Sequence, residues 1–146
     1  MTQEDKELLL KDLCARLPYG IRCSFGVDDA IYEVCGVNPT CCGASEIQAT
    51  HVKSGINGDF SLSSCKPYLF PLSSMTEEQK EELKHEISKQ TDIIIERMKN
   101  DDFGIDCGKY HFNSLLELEW CKKNHFDIYG LIPMGLAIDA TGLNIY

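Results

Sequence analysis

From Gly20 to Leu72 the chain is written in short, strand-like runs, whereas the segments on either side space their apolar residues at helical intervals. Ile21-Arg22-Cys23-Ser24-Phe25 alternates apolar and polar residues, and Gly26-Val27-Asp28-Asp29 is a turn signal. Ala30–Val37 predicts a second strand, rich in β-branched and aromatic residues, which Asn38-Pro39-Thr40 ends. Glu46–Lys53 predicts a third strand, Asn57-Gly58 a hairpin turn, and Phe60-Ser61-Leu62 opens a fourth. Four or five short strands in about fifty residues predict a small antiparallel sheet, open or closed partly into a barrel that would remove its exposed edges. With helices on both sides, the fold class is α+β.

The flanking helices carry their own punctuation. Thr2 and Asp5 have the spacing of a capping box, and Leu9, Leu10, Leu13, Cys14 and Leu17 form an apolar face that stops at Pro18-Tyr19-Gly20. Thr76 and Gln79 open a long helix whose stripe is Leu83, Ile87, Thr91, Ile94 and Met98, closed by Asn100–Gly104. Ser114 and Glu117 read as the cap of a third helix carrying Leu115, Leu118, Trp120 and Cys121, with Asn124 as a left-handed stop. Between sheet and long helix lies Lys66-Pro67-Tyr68-Leu69-Phe70-Pro71-Leu72. Its two prolines predict a buried strap rather than a strand interior. The 146 residues suit one domain, 1–72 holding the first helix and the strands and 73–146 a helical part packed on them.

The net charge of −9 is uneven. Residues 1–75 carry six basic and nine acidic groups, and residues 76–146 carry eight and fourteen. Such a field repels phosphates, so neither nucleic acid nor an anionic membrane surface is an expected partner. The N-terminus lacks a secretory pattern, which predicts a cytoplasmic location and therefore reduced thiols for the eight cysteines.

Cys23, Cys35, Cys41, Cys42 and Cys65, with His51, could supply soft zinc ligands, but C-x₅-C-C is not a zinc knuckle. His51, His85, His111 and His125 offer possible bases for a thiol nucleophile, none of them placed beside a cysteine by the sequence. His125 and Asp127 are either an acid/base pair or a helix C-cap in which Asp127 holds His125, and the cap is the simpler reading. Asp101, Asp102 and Asp106 lack the calcium-loop pattern, and Gly130-x₄-Gly135 lacks the Lys-Ser/Thr of a phosphate loop. Tyr19, Tyr32, Tyr68, Phe70, Trp120 and Phe126 read as core. No catalytic residue, cofactor or metal ligand is assigned.

Four phrases resemble a family of small uncharacterised proteins of gut Bacteroides-type bacteria, their phages and other mobile elements. They are Leu8–Gly20, Lys66–Glu78, Asn124-His125-Phe126-Asp127, and Gly130-Leu131-Ile132 with Gly135-Leu136-Ala137. The resemblance covers the start, the strap and the C-terminal third, and residues 23–65 are where such proteins vary. It implies a cytoplasmic protein associated with phages or mobile elements, and transfers no activity or site residue. Charge, motifs and resemblance together lead to the expectation of a non-enzymatic accessory protein that binds a host or phage protein, as in counter-defence. The alternatives are sequestration of a nucleotide-type small molecule, with Arg16, Arg22 and Lys53 as scattered cations, and a Cys/His thiol or zinc enzyme.

Overall fold

The computed structural model describes residues 1–26, 30–39, 45–98 and 108–146. Helix α1 spans Gln3–Arg16 and begins with the expected capping box. The Asp5 amide donates to Thr2 Oγ1 at 3.1 Å and the Thr2 amide to Asp5 Oδ2 at 2.7 Å. Its buried face is Leu9, Asp12, Leu13 and Arg16, spaced i, i+3, i+4, i+7. Cys14, expected on that face, is exposed. Leu9 and Leu13 of the expected face are fully buried, and Leu10 and Leu17 pack half-buried against the same core. The two charged positions Asp12 and Arg16 turn the centre of the buried face away from Cys14.

The strands are β1 Arg22–Ser24, β2 Tyr32–Pro39, β3 Ser45–His51, β4 Asn57–Ser61, β5 Lys66–Leu69 and β6 Ile138–Asp139, in the order β4-β3-β2-β1-β5-β6. All neighbours are antiparallel except β5 and β6, which are parallel. The architecture is α+β, with an open sheet instead of a closed barrel. β2 runs through Asn38 and Pro39, which pair with Glu46 and Ser45, so the expected break is part of the strand. Asn57-Gly58 also lies within a strand. The β3–β4 turn falls at Val52–Ser54 and Gly55 takes the left-handed conformation, φ 70°.

The strap differs from expectation in the same way. Lys66–Leu69 is a strand, joined to β1 at Cys23↔Pro67 and to β6 only from Tyr68 onward, so at Pro67 the β6 side is still an open edge. Beyond it, the Phe70 amide donates to His125 O at 2.9 Å and the Asp127 amide donates to Phe70 O at 2.8 Å. Pro67, Tyr68 and Leu69 are buried, Phe70 is half-buried, and Leu72 is exposed. Phe70 nevertheless packs against two apolar clusters. One contains Tyr68, Ala140 and Ile145, and the other contains Trp120, Cys121 and Phe126 with Leu83 of the long helix. The strap therefore ties sheet to helices through one ring and two backbone bonds.

Helix α2, Glu77–Met98, carries the expected Thr76/Gln79 capping box, and Leu83 and Ile87 turn half-buried faces inward. The side chains of Thr91, Ile94 and Met98, and the turn at 100–104, lie outside what is described. Helix α3 spans Gly108–Lys123, so Ser114 lies within the helix and not at its start. A Ser-x-x-Glu spacing also arises by chance within helices. Trp120 and Cys121 are buried, whereas Leu115 and Leu118 are exposed. No helix among the described residues is long and apolar enough to cross a membrane.

One buried side chain joins these parts. Arg16 is 0% exposed and its Nε lies 2.9 and 2.8 Å from the two carboxylate oxygens of Asp12, which is also fully buried. Arg16 Nη1 donates to Lys122 O at 3.3 Å and Nη2 to Phe126 O at 2.7 Å. Arg16 thus satisfies a carbonyl of the last turn of α3 and another just beyond it.

Arg16→Met should cost about 3–5 kcal/mol, because it strands a buried carboxylate and two carbonyls. Phe70→Ala should cost about 2–3 kcal/mol, below the roughly 3–5 kcal/mol of a fully buried aromatic, because the ring is only half-buried. Denaturant titration of both variants checks this ranking, and a Phe70 variant less stable than the Arg16 variant would reverse it.

Candidate functional site

The cluster after α3 is a cap. His125 adopts φ 60°, with its amide donating to Lys122 O at 3.2 Å and the Phe126 amide to Cys121 O at 2.8 Å. This is a Schellman motif with His125, not Asn124, as its left-handed residue. The sequence left open whether His125 and Asp127 form a pair, and here they do not. Asp127 Oδ1 and Oδ2 accept from the amides of Leu131 and Ile132 at 2.8 and 2.9 Å, which orders the following turn. The His125 ring stacks on Tyr146, centroids 3.8 Å apart, and its buried Nδ1 has no hydrogen-bond partner among the described residues. Burial, then the charges of Arg16 and Arg22, lower its pKa to about 4. The ring is neutral near pH 7 and gains nothing from the helix dipole. The Tyr146 hydroxyl donates to Tyr68 O at 2.8 Å and accepts from the Arg22 amide at 3.3 Å.

The candidate cations are spent separately. Arg16 is consumed by Asp12 and two carbonyls. The Arg22 guanidinium bonds Ile145 O and lies 5.7 Å from the centroid of the Tyr146 ring. Lys53 is exposed in the β3–β4 turn. The cysteines divide by sheet face. Cys23 and Cys65 are fully buried and hydrogen-bonded to each other, and burial pushes the Cys23 thiol well up. Burial also raises the Cys121 thiol. Such shifts disfavour thiolates at these two positions. Cys35 is exposed on the opposite face, so it cannot share an ion with Cys23. Among the described residues no three His, Cys, Asp or Glu side chains converge as a metal site. Cys41, Cys42, Asp101, Asp102 and Asp106 lie outside the described residues, as does the His111 side chain. His85 is exposed on α2, and His51 Nδ1 pairs with Ser54 Oγ at 2.6 Å.

What the structure does assemble is the β2–β3–β4 end of the sheet. β4 alternates in burial, with Gly58 and Phe60 half-buried and Asn57, Asp59 and Ser61 exposed. On the inner face Phe60 stacks on Phe25, centroids 4.0 Å apart, and meets Tyr32 at 4.9 Å. The Phe60 ring also covers Gly58, where a Cβ would come within 3.0 Å of it. Tyr32, His51, Ile56, Gly58 and Phe60 line an open concavity of about 270 Å³. Ile56 at its rim is 68% exposed.

The outer face is polar. A register shift between Val34 and Gly36 leaves Cys35 as the extra residue of a bulge. Cys35 Sγ lies 3.1 Å from Thr50 Oγ1, which donates to Asn57 Oδ1 at 2.7 Å. Thr50 has one hydroxyl proton, so the Cys35 thiol is the donor in this chain. Cys35, Gln48, Thr50, Asn57 and Asp59 line a second concavity, of about 250 Å³. Glu33, Glu46 and Asp59 are exposed around it, and β2, β3 and β4 contain no Lys or Arg. Reading Asn57-Gly58 as a turn set the start of the fourth strand at Phe60, whereas β4 begins at Asn57. The alternation of Ile56, Gly58 and Phe60 with Asn57, Asp59 and Ser61 was the available signal.

A histidine whose folded pKa lies below its ordinary value of 6.5 destabilises the fold as pH falls from about 6.5 to about 4, because the unfolded chain takes up the proton first. His125→Asn keeps a residue that tolerates the left-handed conformation. Its melting temperature should fall less over that pH interval than that of the natural protein, and parallel curves would show that His125 takes up its proton equally in the folded and unfolded chain. Comparisons with models of known protein families, with curated proteins and with solved structures gave no match.

Proposed function

We propose that this chain is a non-enzymatic accessory binding protein that holds a protein partner against the β3–β4 side of its sheet. The observation that carries the reading is the set of exposed carboxylates Glu33, Glu46 and Asp59 on the outer face of strands that hold no basic residue, with the exposed apolar side chain of Ile56 on the other face of the same edge. Carboxylates repel nucleic acid and steer basic protein surfaces, and an exposed aliphatic at the rim of an aromatic concavity supplies an anchor point. The resemblance to phage and mobile-element proteins supports a cytoplasmic partner of host or phage origin. In this reading α1, the strap and the C-terminal segment form the scaffold and the strand ends carry specificity.

A photoreactive amino acid at position 56 tests the reading, with position 85 on the exposed side of α2 as the control. Irradiation in the native host should yield a covalent protein adduct from position 56 and none from position 85. Equal adducts from both positions, or none from position 56, would count against it.

A further inference from the structure

Resting on that protein-binding reading, we infer that the free edge of β4 takes up an extended segment of a partner in which basic and apolar side chains alternate. β4 ends the strand order, and no described element lies on its outer side. The His51 amide donates to Ile56 O at 2.9 Å, which makes His51↔Ile56 a hydrogen-bonded pair. By antiparallel alternation, Gly58 and Phe60 also direct their backbone groups to β3, whereas Asn57 and Asp59 direct theirs to the free edge. No described residue bonds these outward groups. Five residues of β4 provide an edge of ordinary strand length.

The two concavities lie on opposite faces of β4 and share Asn57 and Gly58. A strand added beside β4 sends successive side chains to opposite faces. One set would extend the apolar rim of Ile56 and Phe60, and the other would meet Asp59 of β4, with Glu46 on the next strand. Charge complementarity selects Lys or Arg for the second set. The same charges argue against a second copy of this chain. An antiparallel β4–β4 pair centred on Asp59 would set the two Asp59 carboxylates opposite one another, between chains that each carry −9.

The test uses the full chain and a synthetic peptide of about nine alternating Lys and Val residues, the length of a long strand. A control peptide of equal composition carries the lysines and valines in two blocks. The alternating peptide should bind more tightly than the control and slow hydrogen exchange at the Asn57 and Asp59 amides. Asp59→Asn should weaken it roughly two- to five-fold, as loss of one exposed charge pair does. Asp59→Pro removes the outward N–H at an edge position that tolerates proline, and should weaken binding by about ten-fold or more. Equal binding of both peptides, protection elsewhere in the chain, identical losses for the two Asp59 variants, or self-association through β4 would each overturn strand addition. If position 56 captures a protein while Asn57 and Asp59 stay unprotected by the peptide, the binding reading stands and this inference falls.

Discussion

The Arg16 guanidinium is the point on which the fold turns. A fully buried cation is tolerated only where its donors are satisfied and its charge is met, and this one has Asp12 one helical turn away and two carbonyls from the distant end of α3. Burial pushes the Asp12 carboxyl upward and Arg16 only partly offsets it. The pair is therefore a geometric constraint more than a reservoir of stability. It fixes the rotation of α1 about its axis, because Asp12 and Arg16 must both face α3. Leu9 and Leu13 are thereby aimed at Ile21, Cys23 and Leu69 in the main core.

That constraint has a second consequence at the junction after α3. Phe126 O accepts from Arg16 while the neighbouring backbone groups, His125 O and the Asp127 amide, bond the two sides of Phe70. Asp127 then organises Leu131 and Ile132, and the chain returns to place β6 beside β5. One side of the sheet is thus closed by the C-terminal segment, with a final strand of only two residues. The opposite side ends in the longer β4, flanked by a concavity on each face. Natural sheets protect edges with charge, and Asp59 serves that purpose against copies of the same chain while leaving a basic strand free to approach.

Much of the architecture was legible because its signals are local. The two true capping boxes, the strands around Cys23, Val34 and Ile47, and the buried aromatic residues follow from spacing and residue type. The misreadings share one cause, which is that the deciding partner lies far away in sequence. Cys14 seemed buried because nothing nearby shows that Asp12 and Arg16 take its place. Pro67 seemed to forbid a strand because β6, which leaves its nitrogen unopposed, arrives some seventy residues later in the register Tyr68↔Ile138. Asn57-Gly58 looked like a turn because that dipeptide favours one, yet Gly55 takes the left-handed conformation and Phe60 needs the space above Gly58. The candidate site depends on that one register and on a bulge at Cys35, neither of which a single sequence displays.

The parallel pairing of β5 with β6 bears on the order in which the molecule can be completed. The strands from Arg22 to Leu69 can pair among themselves as soon as that stretch has left the ribosome. Tyr68 and Leu69 then wait for residues 138 and 139, and Arg16 waits for carbonyls 106 and 110 positions downstream. Contacts that close such long loops form late and depend on everything before them. A nascent chain paused before residue 122 would hold a sheet without β6 and an Arg16 lacking both of its distant carbonyl acceptors. The last twenty residues, which contribute little regular structure, act in synthesis as the closing clasp of a fold otherwise left ajar.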